Sequence, residues 1–129
     1  MKPRILVADD SQAVREAIAA ILDAGGYPVT LAQDGLDAWA AIRRERPSMV
    51  VMDIEMPGLD GCEVCRLIKR QPETCDIPVL LVSGCGRTAD LARGARADGF
   101  LDKPFFLKDL LGQVKSLLDG STPRHVAAA

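Results

Sequence analysis

The sequence predicts an α/β fold: a doubly wound parallel sheet of five strands with five helices on its two faces. Two observations predict it. Short apolar runs alternate strictly with segments of 3.6-residue periodicity, and three of the runs are apolar almost without a break, as strands covered on both faces are. Strict alternation of this kind implies right-handed crossovers between parallel strands.

The first strand is Ile5–Ala8. A stripe of Val14, Ala17, Ile18, Ile21 and Leu22 then marks the first helix, with Ser11 as its cap and Gly25-Gly26 at its end. The second strand, Val29–Ala32, runs into Gln33-Asp34, where Asp34 caps the second helix. That helix carries Leu36, Trp39, Ala40 and Ile42 as its apolar stripe, and Pro47 follows it. Met49–Met52 is the third strand; Val64, Leu67 and Ile68 line the third helix, which Pro72 follows. Val79–Val82 is the fourth strand and 88–95 a weaker helix with Gly94 near its end. Gly99–Leu101 is the fifth strand, and the last helix has the longest stripe: Leu107, Leu110, Leu111, Val114, Leu117 and Leu118.

At 129 residues the chain matches one domain, read as 1–119, with 120–129 as a short disordered tail. The formal net charge of −2 exerts no general pull toward nucleic acid or anionic membrane. A basic start is followed by an apolar run too short for a signal peptide or membrane span, so a cytoplasmic location is expected. Cys62 and Cys65 form a C-x-x-C, but Cys75 and Cys85 complete no second pair and the single histidine is His125. One cysteine of the pair is expected to face inward as a small hydrophobe.

In open parallel sheets ligands bind beyond the carboxyl ends of the strands. There the first strand delivers Asp9 and Asp10, the third Asp53, the fourth Ser83 and the fifth Lys103. Taken singly, each is more often a cap or turn residue. Together they form a constellation. Carboxylates about 4 Å apart repel by on the order of 4 kcal/mol per pair at an effective dielectric near 20, and a cation or a proton resolves such clusters. Oxygen ligands with open positions suit Mg²⁺. A lysine opposite them pairs with anionic oxygens, and a serine hydroxyl donates to one. Such a set suits a carboxylate nucleophile attacking phosphorus.

These residues carry a resemblance. The stretches Ile5-Leu6-Val7-Ala8-Asp9-Asp10-Ser11, Val51-Met52-Asp53-Ile54-Glu55-Met56-Pro57-Gly58-Leu59-Asp60-Gly61, Pro78-Val79-Leu80-Leu81-Val82-Ser83-Gly84 and Gly99-Phe100-Leu101-Asp102-Lys103-Pro104-Phe105 resemble the receiver domains of bacterial two-component response regulators, most closely the stand-alone, chemotaxis-regulator-like kind. The resemblance implies a flavodoxin-like sheet of order 2-1-3-4-5. It implies that Asp53 is phosphorylated by a histidine kinase or phosphotransfer protein, with Mg²⁺ held by Asp9, Asp10, Asp53 and the Glu55 backbone carbonyl. It makes Ser83 and Phe100 the switch residues, Lys103 the partner of the phosphoryl group, and the Lys103–Pro104 peptide cis. It further implies a monomer or weak dimer that binds neither nucleic acid nor membrane and signals to a protein target through the face of the fourth helix, fifth strand and fifth helix. It is a self-modifying switch with autodephosphorylation, not an independent enzyme.

Some positions depart from the family. Arg96 stands where a glycine often ends the fourth helix in the left-handed conformation, and Phe100 lacks a tyrosine hydroxyl; Glu55 and Cys85 stand where the family varies, at positions that the resemblance implies flank the path of attacking water. The alternative is a receiver-like module that docks without phosphorylation; loss of Asp9, Asp10, Asp53 or Lys103 favours it, and all four are present. An aspartate-based phosphatase lacks its cap domain here, and a nucleotide carrier lacks its Gly-rich loop.

Overall fold

The computed structural model describes residues 2–120. Its elements alternate as β1 (Ile5–Ala8), α1 (Gln12–Ala24), β2 (Val29–Ala32), α2 (Gly35–Glu45), β3 (Met49–Asp53), α3 (Gly61–Arg70), β4 (Val79–Ser83), α4 (Thr88–Gly94), β5 (Gly99–Asp102) and α5 (Leu107–Leu118). The strands pair in parallel in the order β2-β1-β3-β4-β5, the flavodoxin-like sheet expected. Residues 121–129 of the expected tail lie outside the described residues.

Alternation along the strands sorts the core into two layers. Leu6, Ala8, Val50, Met52 and Leu81 pack with Ala38, Ala41 and Ile42 of α2, Val64, Cys65 and Ile68 of α3, and Ala92 of α4. Ile5, Val7, Met49, Val51, Leu80 and Val82 face the other way, against Ile18 and Leu22 of α1 and Leu110, Val114 and Leu117 of α5. The central strands are buried on both faces, which is why they read as unbroken apolar runs.

Helix caps follow their local chemistry. The Ser11 hydroxyl accepts from Val14 N at 3.4 Å, and the Asp34 carboxylate from Asp37 N at 2.8 Å. The α3 cap is reciprocal, with Asp60 accepting from Glu63 N and Glu63 from Asp60 N. Arg46 and Arg96 take φ of 48° and 66°, so Arg96 does adopt the left-handed backbone that glycine would meet without strain.

The apolar stripe of α2 differs from expectation. Leu36 is 66% exposed and Ala40 is exposed, while Gly35, Ala38, Ala41 and Ile42 are buried. The helix sits so close to the loop after β3 that a Cβ on Gly35 would lie 2.0 Å from the Leu59 carbonyl oxygen. Close approach therefore requires glycine at position 35. Leu107 of the α5 stripe is likewise exposed, whereas both cysteines of the C-x-x-C are buried, not one. Burial raises the thiol pKa of Cys62 and pushes that of Cys65 up to about 12, so neither is a reactive thiolate.

A buried ion pair closes the other end of the sheet. Lys69 Nζ donates to Asp98 Oδ2 at 2.7 Å, to the Ile77 carbonyl at 2.8 Å and to the Cys75 carbonyl at 3.2 Å. Asp98 Oδ2 also accepts from Val79 N at 2.7 Å. The network fastens α3 to the starts of β4 and β5.

Candidate functional site

Strands β3, β4 and β5 each run one residue further than their apolar runs, to Asp53, Ser83 and Asp102. The ladder pairs Asp53 with Val82 and Ser83 with Asp102. Asp53 and Ser83 are thus held by the sheet itself and not by mobile loops. Lys103 follows directly, its amide donating to the Ser83 carbonyl at 2.9 Å, and the Lys103–Pro104 peptide is cis as expected.

At this edge Asp9, Asp10 and Asp53 converge, each offering a carboxylate oxygen within 4.8 Å of the others. Asp9 and Asp53 are buried and Asp10 is exposed. Asp9 is fixed by its surroundings. Its Oδ1 accepts from Ser11 N at 2.9 Å, and its carbonyl accepts from the Arg15 guanidinium at 2.7 Å. Lys103 Nζ lies 3.1 Å from Asp9 Oδ2 and 3.4 Å from Asp53 Oδ1. The latter oxygen is buried and has no hydrogen bond. Burial, reinforced by the Asp9 charge, raises the Asp53 pKa to about 6 despite Lys103. At Lys103 burial lowers the pKa, but the hydrogen bond to Asp9 and the charges of Asp53 and Asp9 outweigh it, and the net shift is upward.

The donor set suits a hard cation. It consists of oxygens only, one of them buried without a hydrogen bond, and the approach past exposed Asp10 is open. A small divalent ion relieves both the mutual repulsion and the unsatisfied oxygen.

Two expected site residues stand apart from this cluster. Ser83 is fully buried, and its hydroxyl donates to Glu55 Oε1 at 2.6 Å while accepting from Cys85 N at 3.1 Å. Because Val82 is the register partner of Asp53, Ser83 alternates to the other face of the ladder. Phe100 pairs in register with Leu81 and is 36% exposed on β5. The Glu55 side chain was expected beside the path of water; its bond to Ser83 was not foreseen, and neither was the support of Asp9 by Arg15.

A family model described as the response regulator receiver domain matches residues 5–115. The chain belongs to this family. Among curated receivers it is 43% identical over 125 residues to the response regulator MprA of Mycolicibacterium vanbaalenii, covering 95% of this chain and 53% of that protein. MprA of Mycobacterium tuberculosis is 40% identical, with 98% of this chain and 55% of that protein covered. The chain thus spans about half the length of the curated relatives it matches. Among solved structures, a response regulator of Chloroflexus aurantiacus superposes with a TM-score of 0.88 at 29% identity, covering 92% of this chain and 99% of that one. The chemotaxis response regulator CheY4 of Vibrio cholerae gives 0.84 at 26% identity, with 91% and 99% covered. In this receiver no described helix is long and apolar enough to cross a membrane.

Proposed function

We propose that this receiver is a phosphoacceptor switch in which Asp53 takes a phosphoryl group from a histidine kinase or phosphotransfer protein. The observation that carries the reading is the Asp53 carboxylate itself: buried, with one oxygen lacking a hydrogen bond, facing Lys103 and the Asp9–Asp10 pair. An Asp53 oxygen attacks phosphorus, the new O–P bond forms, and the bond from phosphorus to the donor's imidazole nitrogen breaks. Asp9, Asp10, Asp53 and the Glu55 carbonyl are the proposed Mg²⁺ ligands; the ion supplies charge neutralisation for the transferring oxygens.

Lys103 already spans Asp9 and Asp53 and turns its ammonium to the added phosphoryl oxygens. Ser83 moves to donate to another of them, which shifts the loop before α4 and lets Phe100 repack. The readout is a changed surface on α4, β5 and α5, whether the receiver acts alone or within a longer chain. The same site later lets water return the aspartate to its free form.

Incubation with a small-molecule phosphodonor and Mg²⁺ tests the assignment. One phosphoryl group, labile to hydroxylamine, is expected on the wild type and none on Asp53→Asn. Labelling of the Asn variant to the wild-type level refutes it and favours a module that docks without phosphorylation.

A further inference from the structure

The Ser83 hydroxyl has one hydrogen, and that hydrogen is committed. It goes to Glu55 Oε1 at 2.6 Å, a short charge-assisted bond, while the oxygen accepts from Cys85 N at 3.1 Å. Asp53 meanwhile has a buried oxygen without a hydrogen bond. The hydroxyl that the proposed switch needs at Asp53 is therefore engaged elsewhere. We propose that the Glu55 side chain is a latch on Ser83, a positioning residue that competes with an anion bound at Asp53 for the Ser83 hydroxyl. The proposal rests on the phosphoacceptor reading above and adds its resting-state control.

The geometry supplies both a lock and a release. Ser83 is fully buried, so its hydroxyl has no water to turn to and must exchange one protein acceptor for another. The neutral Cys85 thiol beside it is a weak acceptor, and the Glu55 carboxylate outcompetes it. Glu55 is exposed and can leave without disturbing the core. A phosphoryl group on Asp53 adds negative charge two residues from Glu55, so the same event that attracts the Ser83 hydroxyl repels its resting carboxylate partner.

Transmission runs through Ser83. When its oxygen rotates, Cys85 N loses its acceptor; the Arg87 amide is tied to Cys85 Sγ at 3.4 Å, and Thr88 at the start of α4 donates to the Ser83 carbonyl at 3.2 Å. Release of the latch is thereby felt along 84–88, the segment that leads into α4.

The test is a beryllofluoride titration of the full chain with Mg²⁺, followed by amide shifts at residues 86–106. It is run on wild type, Glu55→Ala, Glu55→Gln, Ser83→Ala and the Glu55→Ala/Ser83→Ala double variant. Glu55→Ala is expected to bind about tenfold more tightly, near the lower end of what one hydrogen bond to a charged acceptor is worth, and to have free-state shifts displaced toward the bound positions. Glu55→Gln, which keeps an acceptor, should fall between. In the Ser83→Ala background the Glu55 effect should shrink to about twofold, since no hydroxyl is left to hold. Equal effects of Glu55→Ala in both backgrounds mean that its charge alone acts, and the latch is refuted. No binding by the wild type, or unchanged binding in an Asp53→Asn control, instead overturns the phosphoacceptor reading.

Discussion

Replacing Asp53 by Asn removes a charge that the fold holds at a cost, and the size of that cost follows from the site. The Asp53 carboxyl is pushed from 3.8 to about 6 by burial and by Asp9. At pH well above 6 an ionised Asp53 therefore destabilises the metal-free fold by roughly 3 kcal/mol, at 1.36 kcal/mol per pKa unit. The sign is that of a raised pKa. The favourable contribution of the protonated form is complete below pH 3.8 and disappears as pH rises through about 6. Asn does not titrate, so it escapes this loss. Thermal unfolding followed by circular dichroism in a metal chelator should show the two proteins nearly level at pH 4. At pH 7.5 the Asn variant should melt higher by on the order of 10 °C for a domain of this size. Millimolar Mg²⁺ should raise the wild type preferentially, because binding to the native state adds stability by mass action. A variant that melts below wild type at pH 7.5, or a difference that ignores pH, refutes the claim that Asp53 is held as a strained carboxylate in a cation site.

Other consequences are as specific. Lys69→Met breaks the buried ion pair to Asp98 and should cost about 3–5 kcal/mol by urea unfolding, with beryllofluoride binding retained in the folded fraction. Arg96→Gly relieves the left-handed backbone at φ 66° and should stabilise by up to about 1 kcal/mol, read in the same assay. Cys85 is exposed, with the Arg87 amide donating to its Sγ at 3.4 Å, whereas burial raises the thiol pKa of Cys62 and Cys65. It should therefore react first with an aromatic disulfide reagent, while Cys62 and Cys65 should react only on unfolding; mass spectrometry of the adducts decides.

The acidic cluster was legible in the sequence because strand ends in a parallel sheet are fixed by topology. The runs of β1, β3 and β5 lead into Asp9-Asp10, Asp53 and Lys103, and topology leaves little choice about where those residues meet, whereas Ser83 at the end of β4 stands apart. What stayed hidden depends on contacts between segments. The Glu55–Ser83 bond joins residues 28 apart, and it depends on the β3–β4 register, which pairs Asp53 with Val82 and sets Ser83 on the other face. The inner face of α2 was misread because Leu36 fits the period, yet the helix turns Gly35 inward, where the nearness of Leu59 leaves no room for a Cβ. The Lys69–Asp98 pair gave no signal at all: a lysine on an otherwise amphipathic helix looks solvated until the fold brings Asp98 beneath it, 29 residues later.

That pair also divides the molecule mechanically. It fastens the amino-terminal rim of β4 and β5, with Val79 and Asp98 cross-bonded through both backbone and side chain, whereas the opposite rim ends in the turn around Gly86 with its φ of 82°. Openings at the two rims therefore belong to different free-energy classes. The Val79 and Asp98 amides should exchange with solvent only when the whole fold comes apart, while those of 84–87 exchange through small local excursions. A sheet clamped at one rim and loose at the other can rearrange its loops and trade partners there again and again, with the energy that keeps it folded stored some four residues away along the same strands.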